Sequence, residues 1–232
     1  DNPFLGWRGI RIMLDHPEIF LTQIRAILKV NLYQNNLRLM LPMISDVGEV
    51  DETIELIKKA YKELTDEGIV IPFPVIGLMI EVPSAVYQMD AFAKRVDFFS
   101  VGSNDLTQYL LAVDRNNKQV ADLYDCLHPS VLHSIQHVVN IAHKYNKPVS
   151  VCGEMAGDPA SALALVGMGV DSLSMSTGSL LRVKLAIRSF TQEQIKQFYL
   201  KAFEMESVGD IRLLFNEALD HAGIGGLVRA GK

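Results

Sequence analysis

Val75-Ile76-Gly77-Leu78-Met79-Ile80-Glu81 is a nearly continuous apolar run that ends on a carboxylate, and Val82-Pro83 turns the chain directly after it. A short run with no polar alternation is the pattern of a strand covered on both faces in a parallel sheet. Four further stretches, 37–43, 98–103, 149–153 and 172–176, have the same character, and each ends on a polar or small residue. Segments of helical period lie between them. The longest, 47–66, carries Val50, Ile54, Ile57, Ala60, Tyr61 and Leu64 on one face, with Asp46 placed to cap it. Helices are also predicted over 106–113, opening on Asp105 as a cap, and over 130–145, 158–168, 180–190, 193–206 and 210–221.

Strands alternating with helices define an α/β fold of repeated βα units. Such a series either opens into a doubly wound sheet or closes into an eight-stranded barrel of roughly 250 residues. No Gly-x-Gly-x-x-Gly turn follows any strand, and polar residues close several different strands, as they do at the mouth of a barrel. The expectation is a partial (β/α)8 barrel of the TIM type, one domain over 1–232, a fragment of a larger protein whose first strands are missing. No fixed-period repeat and no linker divides it.

The totals narrow the chemistry. At 232 residues, 49% hydrophobic and 21% charged, the chain suits one large core. A net charge of -5 with interspersed signs argues against nucleic acid or an anionic membrane as the main partner. Two cysteines, Cys126 and Cys152, are too few for a disulfide framework, and the longest apolar stretch is broken by Pro72 and Pro74. Cytoplasmic localisation is expected.

Candidate chemistry gathers at strand ends. Glu81 and Asp105 close successive strands, which would bring two carboxylates within a few ångströms, an arrangement that calls for a cation between them. Mg²⁺ suits such a pair, because it takes one or two carboxylates with substrate oxygens and water. The bland alternative for Glu81 is a helix-terminal carboxylate or a buried salt bridge. Gly102 permits close backbone approach, and the amides of Asn104 and Asp105 open a helix, a ready anion site. Arg115 in the following loop adds a fork for phosphate or carboxylate, or else forms a surface ion pair. Cys152, beside Gly153, is either inert packing or an acid toward an enolate. His133 and His137 lack a third ligand for zinc and are expected to be exposed helix residues. Cys126 has no such company and earns no role.

Several long motifs in order carry a resemblance: Asn2-Pro3-Phe4-Leu5-Gly6-Trp7-Arg8-Gly9-Ile10-Arg11, Leu41-Pro42-Met43-Ile44, Gly77-Leu78-Met79-Ile80-Glu81-Val82-Pro83, residues 97–114 and Cys152-Gly153-Glu154-Met155-Ala156-Gly157-Asp158. Over residues 2–188 the chain resembles the phosphoenolpyruvate-binding domain of the phosphoenolpyruvate-protein phosphotransferases, Enzyme I of the bacterial phosphotransferase system. The wording of 101–117 is nearest the nitrogen-related branch. The resemblance implies that Glu81 and Asp105 hold Mg²⁺, that Asn104, Asp105, Arg115 and Arg8 bind phosphoenolpyruvate, and that Cys152 protonates the enolate to give pyruvate. It further implies transfer to a histidine on a separate domain, then to a histidine-phosphorylated carrier protein, and a homodimer. Two phosphate-binding arginines of the family and its Gly-Gly-x-x-Ser-His stretch have no counterpart here, so the isolated fragment is expected to be inactive. Pyruvate phosphate dikinase or phosphoenolpyruvate synthase shares these motifs. A non-catalytic dimerisation or regulatory module is the alternative from another class, and a magnesium-dependent aldolase or lyase on the same barrel would also place a Glu and an Asp at neighbouring strand ends but would not need Cys152. The tail from 193 is expected only to pack helices, ending in a flexible Gly-rich stretch from Gly223.

Overall fold

A computed structural model describes residues 3–34 and 36–226. Asn2, at the head of the first motif, and residues 227–232 of the Gly-rich end lie outside them. Among the described residues five strands form, at the places the apolar runs predict: β1 (Arg38–Leu41), β2 (Val75–Ile80), β3 (Phe98–Gly102), β4 (Val149–Cys152) and β5 (Ser172–Ser174). Their order is β1-β2-β3-β4-β5. A doubly wound sheet reverses its strand order at a switch point, whereas consecutive neighbours throughout are the order of a (β/α)8 barrel. The chain divides into two compact units, Asp1–Phe99 and Ser100–Lys232, and the division falls inside β3.

In the first unit β1 and β2 run parallel, with Arg38 opposite Val75 and Leu41 opposite Leu78. Gly77 has a packing reason: a Cβ there would lie 2.4 Å from the Phe98 ring. The Val47–Asp66 helix starts as predicted, with a reciprocal cap in which Asp46 Oδ1 accepts from Gly48 N and Glu49 Oε2 accepts from Asp46 N. It buries Val50, Ile57, Ala60 and Leu64. It packs on a helix the strand pattern did not announce, Pro17–Gln34, whose Phe20, Ile24 and Leu28 are buried. A shorter helix, Ile10–Asp15, precedes it.

In the second unit β4 and β5 pair in parallel, Ser150 opposite Ser172 and Cys152 opposite Ser174. The Pro159–Gly167 helix is buried from Pro159 through Leu165, so it is a core helix rather than an amphipathic one. The helices Thr177–Arg188, Gln192–Phe203 and Val208–His221 pack around it; the tail from 193 is expected only to pack helices, but its Arg212 also lines a cleft. Among the described residues no helix is long and apolar enough to cross a membrane.

One device recurs at the entry end of a strand in each unit. Asp97, directly before β3, donates its N–H to Ile76 O at 2.7 Å and accepts from Ile76 N at 2.9 Å. Asp171, directly before β5, donates to Val149 O at 3.0 Å and accepts from Val149 N at 2.7 Å, with His143 Nε2 2.9 Å from the same oxygen. Burial alone raises the Asp171 pKa, but the hydrogen bonds from His143 and Val149 outweigh it and hold the carboxyl below its ordinary value of 3.8. A depressed carboxylate pKa contributes stability above the unfolded-state pKa and loses it as pH falls through the folded one. Because this carboxylate is 45% exposed and screened by solvent, Asp171→Ala is expected to cost only about 0.5–1 kcal/mol at neutral pH. In urea unfolding the gap from wild type should close as pH falls below about 4; a gap that stays constant with pH would show the carboxylate charge to be irrelevant.

Candidate active site

The turn after β3 is already helical. The helix runs Ser103–Leu111, one turn earlier than predicted, and its cap residue is Gly102 with no side-chain cap bond. Asp105 thus sits inside the first turn and does not cap it, a correction that follows from Ser103 and Asn104 taking helical geometry. Asn104 is held from the side. Its Oδ1 accepts from Glu154 N at 3.0 Å, which fixes the amide with Nδ2 as the remaining donor. Ser103 Oγ donates to Cys152 O at 2.6 Å, and Cys152 Sγ donates to Val101 O at 3.5 Å. Gly153 permits this closeness: its φ is +98°, and a Cβ would fall 2.5 Å from Ser103 Oγ and 2.7 Å from Asn104 Oδ1.

Arg115 lies beyond the helix, where Gln108 Oε1 accepts from its backbone N–H at 3.2 Å. Its Nη2 is 3.6 Å from Asp105 Oδ1, and Asp105 is 8% exposed. Tyr124 closes the group, donating its hydroxyl to Asn104 O at 3.2 Å. Burial pushes this phenol up to about 12, while neighbouring Arg115 and Thr107 pull it down. Asn104, Tyr124, Cys152 and Gly153 line a cleft of about 660 Å³ that extends to Asp125, Ser176, Arg182 and Arg212. Cys126 also lines it, so the expectation that it lacks such company is corrected. Its thiol faces Ser161 Oγ at 3.7 Å, and burial pushes it up to about 11, so it stays neutral.

Glu81 belongs to the first unit. It follows β2, is 4% exposed, and its Oε1 accepts from Met43 N at 2.7 Å. Met43 presents that N–H from a left-handed conformation, φ 59°. Arg8 is half-buried, with its guanidinium 5.5 Å from the Phe4 ring centre. As ligands for Mg²⁺, Glu81 and Asp105 have fitting chemistry: both are hard oxygen donors taken out of water, and a buried carboxylate needs a cation or hydrogen-bond donors. Among the described residues no three His, Cys, Asp or Glu side chains cluster as a metal cage. His133 and His137 are exposed, with His133 against the Phe203 ring at 4.1 Å.

Sequence reasoning gave no role to Gln108, Tyr124, Asp125 or Arg212. Gln108 and Tyr124 carried a usable signal, polar groups inside or near the motif that holds Asn104 and Arg115. Arg212 carried none, lying 87 residues from Asp125, its partner.

Fold and site define an α/β domain of barrel order that presents amide, guanidinium, carboxylate and thiol groups at the carboxyl ends of its strands. Residues 1–192 match the family described as PEP-utilising enzyme, PEP-binding domain, and the chain belongs to that family. It is 45% identical over 232 residues, 100% of this chain and 31% of the relative, to "Phosphoenolpyruvate-dependent phosphotransferase system" of Salmonella typhimurium. It is 43% identical over 94% of its length to "Phosphoenolpyruvate-protein phosphotransferase" of Haemophilus influenzae, covering 38% of it, and 40% identical over 90% to the protein so named in Bacillus subtilis, covering 37%. The chain thus spans about a third of the length of these curated relatives.

Gly153→Ala tests the geometry. Forcing a side chain into that φ and against Asn104 is expected to cost about 1–3 kcal/mol in thermal or urea unfolding. Unchanged stability would show that the two loops do not meet as described.

Proposed function

We propose that this chain is the phosphoenolpyruvate-binding part of a phosphoenolpyruvate-protein phosphotransferase, working at the first step of a phosphorelay. The observation that carries the reading is the fixed amide of Asn104 in one cleft with the Cys152 thiol, a donor for an anion beside a proton source. Asn104 Nδ2, the Arg115 fork and Arg8 bind the phosphate and carboxylate oxygens. Glu81 and Asp105 are the carboxylates for Mg²⁺, which when bound supplies positive charge for the phosphoryl and enolate oxygens. The phosphorus–oxygen bond of the substrate breaks as a phosphorus–nitrogen bond forms to a histidine on a separate domain, and the enolate is left behind. Cys152 then gives its proton to the methylene carbon, yielding pyruvate. A thiol donating to the Val101 carbonyl carries that proton, since a thiolate would be repelled by the carbonyl oxygen.

From there the phosphoryl group passes to a histidine-phosphorylated carrier protein. The wording of residues 101–117 supports the nitrogen-related branch. A cytoplasmic homodimer completes the reading, and residues 1–232 alone are inactive, because the histidine and two phosphate-binding arginines belong to other parts of such a protein.

Calorimetry of phosphoenolpyruvate on the full-length protein tests the site. Binding should require Mg²⁺ and fall by roughly 100-fold or more in Glu81→Ala and in Asp105→Ala. Metal-independent binding that survives both changes would remove the assignment. In Cys152→Ala, binding should persist while pyruvate release is lost, as for a removed proton donor; equal loss of both would make the thiol structural.

A further inference from the structure

The helix Val208–His221 reaches the cleft through Arg212. Arg212, on Val208–His221, grips Asp125 with Nη2 at 2.7 Å from Oδ1 and 2.8 Å from Oδ2, and with Nε at 3.3 Å from Oδ2. The side chains are 34% and 23% exposed, so the fork is partly shielded from solvent and geometrically specific, unlike a flexible surface pair. Asp125 lies between the short 3-10 turn Ala121–Leu123 and the Pro129–Lys144 helix, in a segment outside the sheet. Its Oδ1 also accepts from Leu127 N at 2.8 Å, so the Arg212 grip is passed to the backbone of that segment. The residue before it is Tyr124, whose hydroxyl donates to Asn104 O and also interacts with the Arg115 side chain. Contacts therefore run from the C-terminal helix to two residues of the substrate site.

We propose that Tyr124 is a positioning residue for Asn104 and Arg115, and that the Arg212–Asp125 ion pair, anchored on the C-terminal helix, holds Tyr124 in place. The inference rests on the reading of the cleft as the phosphoenolpyruvate site. Tyr124 ties down the backbone carbonyl of Asn104, while Glu154 ties down its side-chain oxygen, so the donor face of the amide is set from two sides. Removing Arg212 leaves a partly buried Asp125 without its counter-ion, and the segment moves to hydrate it. Tyr124 then loses its register against Asn104 and Arg115.

The test is steady-state kinetics with phosphoenolpyruvate on the full-length protein, for Tyr124→Phe, Asp125→Asn, Arg212→Met and the Asp125→Asn, Arg212→Met double variant, each with a thermal unfolding curve. KM for phosphoenolpyruvate should rise roughly tenfold in each single variant, with kcat nearly unchanged. The double variant should be no worse than either single one, because the pair acts as a unit. Arg212→Lys should recover only part of the loss, since an ammonium cannot reproduce the fork. Unchanged KM in Tyr124→Phe and Arg212→Met, independent losses that multiply in the double variant, or a fall in kcat that merely tracks the unfolding midpoint would each overturn the proposal. A wild-type protein that does not bind phosphoenolpyruvate refutes the site reading itself; a wild type that binds, with variants that match it, refutes only the positioning role.

Discussion

The hydrogen bond from the Glu154 N–H to Asn104 Oδ1 joins the loop after β4 to the helix that opens after β3. A side-chain amide has one acceptor end and one donor end. Engaging the oxygen leaves the amino group to meet an anion, and it does so before any ligand arrives. The bond exists only because residue 153 has no Cβ and adopts a positive φ, so Gly153 sets the distance between the two loops. The same closeness brings the Cys152 carbonyl onto Ser103 Oγ and leaves the thiol on the wall that Asn104 also lines. Under the proposed function, substrate binding and proton delivery would share one geometric condition.

Stability and chemistry occupy opposite ends of the strands. At the entry ends, Asp97 and Asp171 each close a reciprocal pair of hydrogen bonds with a residue near the start of the preceding strand, Ile76 in the first unit and Val149 in the second. At the exit ends stand Glu81, Asn104 with Asp105, and Cys152. This division is the general habit of barrel enzymes, in which the carboxyl face carries the site. Buried helix Pro159–Gly167 gives the second unit its centre, and the C-terminal helices packed on it are also where Arg212 takes its footing.

The strands and the long helix were legible because their signals are local. Apolar runs such as 75–80 mark buried strands, and Asp46 marks the start of the long helix, where the structure adds Glu49 as the second half of a reciprocal cap. The Pro17–Gln34 helix also carries a local signal, Phe20, Ile24 and Leu28 at helical spacing. Helix Ser103–Leu111 begins a turn early because Gly102 ends the strand without a capping side chain, so nothing local marks the boundary. For the site, residue types at strand ends named Glu81, Asn104, Asp105, Arg115 and Cys152. Their supports, Gln108, Tyr124 and the Asp125–Arg212 pair, depend on contacts between distant segments, which no local pattern encodes. Met43 escaped because what it offers Glu81 is a backbone N–H.

The role of the Asn104 amide is tested most directly by Asn104→Asp in the full-length protein, with phosphoenolpyruvate affinity measured by calorimetry beside a thermal unfolding curve. The change keeps the oxygen that accepts from Glu154 and replaces only the donor, by a negative charge. The expected result is unchanged unfolding with affinity reduced roughly 100-fold or more by the lost donor and the like charge. Affinity equal to that of the wild type contradicts the assignment.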